Sequence, residues 1–477
     1  MNRQKPFIHP ITTSFGKYVY DVNRDNVYEA EESLFHYLCA EQNGDDESMA
    51  KCLPEVSAKL TQMKEDGYLK TKRPDRIEHQ FTPLIDDKLS HGVEKITLQV
   101  TQQCNLRCKY CTYSETNVAG QRVHSPKVMS WETAKAGVDF LVRHSENAAD
   151  VNIGFYGGEP LLQFNLIKKV VAYAEEELYG KGVTFSITTN GTIFTDEIIQ
   201  FFMEHKIFIL ISLDGPSEMH NANRIFKDGK SGTFEKIEEN MKYISENFPA
   251  LLKKISFNTV LDPSREYDCI NSFFMEYWMF QETIGTVASM VDTSYKDYDV
   301  QFSTEFVKQN MYEQFKIFML HIGRLRENEL SKFTLASDGL NQYFLKNHGT
   351  AQEIPDVCAP SGPCLPGQSR LFMNVDGDFY PCERVSESSC ATYIGNVTDG
   401  FDYECIRQVL NVGAISAEHC KNCWALLHCG LCIKHCDEND AISAEKKLKY
   451  CESQKNSAEE RLRDIILLKK IKELALQ

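Results

Sequence analysis

The sequence predicts an α/β protein built on a partial (β/α)6 TIM-like barrel, with a small winged-helix-like module before it and a cysteine-rich region after it. Three observations lead there. From Lys95 onward, short apolar runs alternate six times with helical patterns. Ahead of them, strand-like segments come first and helical ones second. Behind them, positions 358–451 hold a series of nine cysteines, with Cys390 and Cys405 isolated among them. Alternating β and α segments imply a parallel sheet with right-handed crossovers.

In chain order, the run Lys17-Tyr-Val-Tyr-Asp-Val-Asn-Arg-Asp-Asn-Val-Tyr-Glu-Ala reads as two strands joined at the turn-forming residues 23–26. Residues 31–38 and 57–64 read as helices, the second ended by Gly67. Residues 71–92 are polar and suit a linker. Barrel strands are expected at 95–101, 152–156, 183–189, 207–213, 254–260 and 286–291. Ser130 is placed to cap a helix beginning at Trp131. Functional loops belong at the carboxyl ends of such strands. Residues 300–350 look helical and connecting, and 457–475 look like an amphipathic helix. The expected divisions are 1–80, 93–310, 311–355, 356–455 and 456–477.

Composition narrows the function. The 477 residues carry 52 basic and 68 acidic side chains, a net charge of −16. Apart from Lys469, Lys470 and Lys472 there is no basic run, so nucleic acid is not the expected partner. No stretch approaches the ~18 uncharged apolar residues of a membrane helix. The N-terminal MNRQKPFIHPITT has no signal-peptide core. A cytoplasmic protein without membrane contact is therefore expected. Seventeen cysteines in such a chain point to metal binding or redox chemistry rather than disulfides.

Cys104, Cys108 and Cys111 form a CxxxCxxC loop directly after the first barrel strand. Three thiolates on one short loop can hold three corners of a [4Fe–4S] cube and leave the fourth iron open. Zinc is the competing reading, but a structural zinc site wants four ligands. The next cysteine is Cys269, and His124 is the nearby histidine. Gly157-Gly158-Glu159-Pro160 ends the second strand, where glycines permit close backbone approach and a carboxylate can accept from an ammonium. Thr189-Asn190-Gly191 and Ser212-Leu213-Asp214-Gly215-Pro216 end the next two, and Arg224 comes after them. Taken singly these are ordinary turn residues; their order in series is more specific.

This series resembles the peptide- and protein-modifying branch of the radical S-adenosylmethionine (SAM) superfamily. The resemblance implies that the open iron chelates SAM and that Tyr110 packs near the adenine. It further implies that Gly157, Gly158 and Glu159 receive the methionine amine, that Asn190 and Ser212 contact the ribose, and that Arg224 meets the carboxylate. Cys358, Cys364, Cys382, Cys420, Cys423, Cys429, Cys432, Cys436 and Cys451 resemble the SPASM extension of the same enzymes, which carries two auxiliary [4Fe–4S] clusters. With the first cube this makes three. By resemblance, Cys358, Cys364 and Cys382 serve the first auxiliary cluster, and Cys420, Cys423, Cys429 and Cys451 the second. The spacing after Cys429 departs from the family pattern, so the first cluster's fourth ligand is Cys432, Cys436 or neither. One or two zinc ribbons are the competing reading of this region.

Residues 6–21 resemble the start of cysteine-rich-peptide maturases, in which a winged-helix-like element captures a precursor's leader by strand addition. A cap that merely shields the barrel is the alternative. The resemblance as a whole implies a ranthipeptide- or sactipeptide-type maturase. Its SAM-derived radical would take hydrogen from a peptide carbon, which a cysteine sulfur then joins as a thioether. An electron donor of flavodoxin or ferredoxin type and a cysteine-rich precursor peptide are the implied partners. Glu383, beside Cys382, is the candidate proton acceptor, against a plain solvated carboxylate. Rivals are sulfatase-maturase-type oxidation of a Cys or Ser side chain, carbon–carbon crosslinking or epimerisation, and a non-catalytic peptide-binding or electron-carrier protein. The extra N-terminal module speaks against the first of these.

Overall fold

The computed structural model describes residues 4–114, 121–265, 267–295, 300–330, 334–335, 353–360, 362, 364–438 and 440–475. Much of the connector expected at 311–355 lies outside these residues.

The N-terminal module has three strands, β1 (Ile8–Thr13), β2 (Gly16–Asp21) and β3 (Asn26–Ala30), in an antiparallel sheet ordered β1-β2-β3. Sequence reasoning found the last two. β1 holds Pro10, which lacks an N–H and is tolerated because this strand lies at the sheet edge. Helices α1 (Glu32–Asn43) and α2 (Asp46–Glu65) pack on one face through Leu34, Leu38, Val56 and Leu60. α2 starts eleven residues earlier than the expected 57, capped by Asp45, whose carboxylate accepts from Ser48 N–H at 3.1 Å. It runs through Pro54, a residue that ordinarily breaks a helix.

The expected linker instead contains a short strand, β4 (Arg76–Ile77), and helix α3 (Ile85–His91). Then come β5 (Lys95–Thr101), α4 (Trp131–His144), β6 (Asp150–Gly157), α5 (Phe164–Glu177), β7 (Gly182–Thr189), α6 (Asp196–Glu204) and β8 (Ile207–Ser212). Helices α7 (Ser217–Asn223) and α8 (Phe234–Asn247), strand β9 (Ile255–Leu261), α9 (Tyr267–Glu276) and β10 (Thr286–Met290) complete the alternation, and α10 (Thr304–His321) comes next. Ser130 caps α4 as expected, its hydroxyl accepting from Thr133 N–H at 3.0 Å. Strands β5 to β10 pair in sequence, each parallel to the next. Their two-sided burial makes one continuous core, with Ile96, Leu98, Ile153, Phe155, Ile187, Ile209 and Phe257 all nearly inaccessible.

The cysteine-rich region is joined to this sheet. Strand β11 (Val357–Cys358) pairs parallel with β4. A hairpin of β12 (Phe372–Met373) and β13 (Phe379–Tyr380) extends the sheet beyond β5, β12 lying parallel to it. The sheet is thus eight-stranded, ordered β10-β9-β8-β7-β6-β5-β12-β13, and open. Helices α11 (Tyr403–Leu410), α12 (Ala417–Lys421) and α13 (Ala444–Lys449) precede a long α14 (Cys451–Ala475). Leu462, Ile465 and Ile466 of α14 pack against Phe7, Ile11 and Tyr20 of the N-terminal module. Arg463 donates to Thr12 O at 2.7 Å on β1, and the His9 ring stacks on Trp424 at 3.7 Å. No described helix is long and apolar enough to cross a membrane.

Candidate functional site

The carboxyl ends of the barrel strands surround a cavity with about 1070 Å³ of atom-free space, including the part open to solvent. Cys104, Cys108, Cys111, Tyr110, Gly157, Gly158, Asn190, Ser212 and Arg224 all line it, and so does Glu383 from the cysteine-rich region. The β12–β13 hairpin carries Glu383 there, because Cys382 and Glu383 come within three residues of the end of β13.

The cysteine loop is seated by backbone contacts. Gly158 N–H donates to Thr101 O at 3.0 Å, and Glu159 N–H to Gln103 O at 2.8 Å. A Cβ on Gly157, whose φ is +150°, would lie 2.2 Å from Thr101 O, and one on Gly158 would lie 2.0 Å from Gln103 O. Only glycine lets β6 close on the loop this tightly. On the opposite side, Asn190 donates to Asn105 at 2.8 Å and Asn105 to Thr192 at 2.9 Å, tying the loop to the end of β7.

Glu159 lies apart from the two glycines that precede it. It is fully buried outside the cavity lining. Its carboxylate accepts from Leu161 N–H (3.1 Å), Thr189 Oγ1 (2.7 Å) and Asn190 N–H (2.7 Å). Burial pushes it up to about 7, against the pull of these hydrogen bonds. The reason is geometric: the β6 turn points the side chain behind the cavity wall, where it positions the Thr189–Asn190 loop.

Arg224 and Asp214 form a buried pair, Nε to Oδ2 at 2.8 Å, with side chains 9% and 4% exposed. Burial works to raise Asp214, yet the Arg224 guanidinium holds it below the ordinary carboxylate range. The Tyr110 hydroxyl donates to the same carboxylate, with Arg224 5.3 Å from the Tyr110 ring centre. His220 lies behind them: its Nδ1 accepts from Asp214 N–H at 3.2 Å and its Nε2 meets Thr233 Oγ1 at 2.8 Å. Burial lowers it to about 4, so it is neutral.

Sequence reasoning gave no role to Asp214, Tyr113 or Asp292. Tyr113, 4% exposed, lines the cavity with a hydroxyl that has no hydrogen-bond partner among the described residues. Arg122 covers its ring at 3.7 Å and pairs with buried Glu387 at 2.8 Å. Asp292 reaches the cavity from the end of β10; burial opposes its ionisation, but Lys434 at 2.9 Å holds it down to about 2. The position two residues after Cys111 was the one available signal for Tyr113.

Two groups of cysteines lie elsewhere. Cys420, Cys423, Cys429 and Cys451 line a second cavity together with Lys447. Cys382 and Cys432 lie close enough to Cys364 and to each other to oppose one another's ionisation. Cys436 is fully buried and sits by Cys432 and Cys429, its thiol 3.5 Å from Cys432 O. Cys358 packs in an apolar cluster with Tyr20, Cys420 and Leu426. Among the described residues, no three His, Cys, Asp or Glu side chains converge tightly enough to bind one metal ion. A four-iron cube spreads its thiolates around a larger body. The donor chemistry suits it: burial pushes the Cys104 and Cys108 thiols up to about 12, so ligation must displace protons. The His124 ring lies 4.0 Å from Cys111 Sγ.

Fold and site together define an open parallel α/β barrel with a thiol-lined cavity at the carboxyl ends of its strands. The chain carries a radical SAM domain: the sequence model of the Radical SAM superfamily matches residues 98–273. It is 24% identical over 264 residues to the radical SAM cyclopropyl synthase TigE of Paramaledivibacter caminithermalis, covering 52% of this chain and 53% of TigE. It is 25% identical over 378 residues to the cysteine-type anaerobic sulfatase-maturating enzyme of Clostridium novyi, covering 76% of this chain and 93% of that one. Among solved structures, native anSMEcpe with bound AdoMet shares the fold, with a TM-score of 0.57 at 22% identity over 78% of this chain and 99% of that one. The chain spans little more than half the length of the first curated relatives it matches.

Proposed function

We propose that this chain is a radical SAM maturase that modifies a ribosomally made, cysteine-rich peptide by joining cysteine sulfur to carbon. The observation that carries the reading is a shared cavity: Glu383, from the cysteine-rich region, faces the same space as Cys104, Cys108 and Cys111. One chain segment would present the cofactor and the other the substrate thiol.

SAM and the clusters, when bound, would supply a carbon-centred radical and an acceptor for the second electron. The chain's own residues do the rest. Cys104, Cys108 and Cys111 would hold the first cube. Tyr110, Asn190, Ser212 and Arg224 would orient SAM, Arg224 through the nitrogens that Asp214 leaves available. Cys358, Cys364 and Cys382 would serve the first auxiliary cluster, with Cys432 preferred to Cys436 as fourth ligand because it neighbours Cys364 and Cys382. Cys420, Cys423, Cys429 and Cys451 would serve the second. Glu383 would take the proton released when the substrate thiol bonds to carbon. The leader would add as a strand beside β3, since Arg463 and α14 cover the β1 edge.

Oxidation of a Cys or Ser side chain is the second reading, favoured by the coverage of 93% of the sulfatase-maturating relative. Mass spectrometry separates the two. The reduced, reconstituted protein is incubated with SAM and a cysteine-rich peptide encoded beside its gene. Loss of two hydrogens with loss of one free thiol supports the thioether. An aldehyde supports the second reading. Unchanged peptide with no deoxyadenosine formed sinks both.

A further inference from the structure

Helix α13 reads Ala-Glu-Lys-Lys-Leu-Lys, which looks like a solvated basic turn. Lys449 behaves that way, 61% exposed beside Glu445, and half-buried Lys446 donates to Asp437 O. Lys447 does not. It is 1% exposed. Its ammonium donates to Ser416 Oγ at 2.6 Å and to Cys420 Sγ at 3.2 Å, and no carboxylate pairs with it among the described residues.

A lysine that deep is almost never left without a counter-charge. Apart from the Ser416 hydroxyl, the group its ammonium meets is sulfur. Cys420, Cys423, Cys429 and Cys451 line the same cavity with Pro360, Leu426 and Leu431, and His419, Gln454 and Lys455 complete its wall. Four neutral thiols cannot balance an ammonium. Four thiolates on a [4Fe–4S] core can, since the assembly is dianionic when oxidised and trianionic when reduced. In so apolar a cavity the charges interact strongly. A fixed cation stabilises the more negative form, and net charge and hydrogen bonds to sulfur are what set such potentials.

We propose that Lys447 is the built-in counter-charge of a cluster held by Cys420, Cys423, Cys429 and Cys451, and that its ammonium raises that cluster's reduction potential. This rests on the auxiliary-cluster reading. Lys447 is a positioning and tuning residue; it touches no substrate.

The test uses the full chain carrying Cys104→Ala, Cys108→Ala and Cys111→Ala, reconstituted anaerobically and titrated by electron paramagnetic resonance. This parent should hold about eight irons in two reducible clusters. Adding Lys447→Met should shift one of the two waves to lower potential, or lose about four irons, while Lys447→Arg keeps both iron and potential. The iron-free proteins should show the opposite order in stability: Lys447→Met melts higher than its parent, because it removes an unbalanced buried charge. Unmoved waves in the Met variant overturn the proposal. So do equal losses in Met and Arg, or a Met variant that fails to fold without iron, since each makes Lys447 a matter of shape. If the parent itself binds no iron, the auxiliary-cluster reading falls first, and that result is visible before Lys447 is changed.

Discussion

Arg224 donates from Nε to the Asp214 carboxylate at 2.8 Å, and both side chains are nearly closed to solvent. The pair sits between α7 and the end of β8, with the Tyr110 hydroxyl on the same carboxylate. It therefore links the cysteine loop to the rest of the cavity wall. Removing one partner of a buried pair leaves an uncompensated charge, which costs about 3–5 kcal/mol. Asp214→Ala should lose stability on that scale in urea unfolding at pH 7. Adding Arg224→Met should restore part of it. A single variant within about 0.5 kcal/mol of the wild type would show the pair to be idle.

The two glycines at the end of β6 make a sharper steric test. Added Cβ atoms at Gly157 and Gly158 would meet backbone oxygens at 2.2 and 2.0 Å, and a backbone oxygen cannot swing aside as a side chain can. Gly157→Ala and Gly158→Ala should each lose about 1–3 kcal/mol, the usual cost of forced overpacking. Both should also lose iron retained at the cysteine loop, measured by iron assay after desalting. Gly285 is the control: nothing lies within 4 Å of its added Cβ. Gly285→Ala should fall within about 0.5 kcal/mol of the parent.

How legible each element is in the sequence depends on how it is held. Buried parallel strands show as nearly unbroken apolar runs, and Ile-Phe-Ile-Leu-Ile-Ser of β8 is such a run. All six barrel strands fell within two residues of their expected bounds. β1 was hidden by Pro10, and α2 by Pro54, because local propensity there is overridden by packing. β12 and β13 are two residues each. Such strands carry no period and exist only because β5 offers them an edge. At the site, the spacing of Cys104, Cys108 and Cys111 announced the loop. Asp214 could not be read as Arg224's partner, because a Ser-Leu-Asp-Gly-Pro segment is an ordinary turn until the fold brings a guanidinium to it. Lys447 was invisible for the same reason: its neighbours in sequence are lysines, and its neighbours in space are cysteines.

Acid should loosen the cavity wall through His220. Its folded value, about 4, lies below the 6.5 of an exposed imidazole, so the native state holds this proton less tightly than the unfolded chain. The associated stabilisation is full above about 6.5 and is lost as pH falls through about 4. That gap corresponds to about 3 kcal/mol. His124 and His435 are lowered to about 4 as well, so the wild type alone cannot isolate the contribution. His220→Gln should be less stable than wild type at pH 7.5, having lost the bonds to Asp214 N–H and Thr233. It should then lose less further stability between pH 7.5 and 4.5. Parallel melting curves for the two proteins across that range would remove His220 as an acid-sensitive group.

Glu383 offers the test that separates radical generation from the later bond-forming step. The residue lines the cavity, its side chain is 24% exposed, and Arg384 stands 3.9 Å away. It is therefore reachable by a substrate thiol without being locked into a buried pair. A carboxylate that only takes a proton late in the reaction should leave SAM cleavage intact when it is neutralised. Glu383→Gln should thus still form deoxyadenosine, while peptide modification falls by about 10²–10⁴-fold, the usual range for loss of a general base. Glu383→Asp should recover only part of the loss, because its shorter arm reaches the cavity less well. Deoxyadenosine and modified peptide are quantified in the same quenched samples. Should both fall together, Glu383 serves cofactor binding instead. Should neither fall, it is a solvated carboxylate, and another group in the cavity must accept the proton.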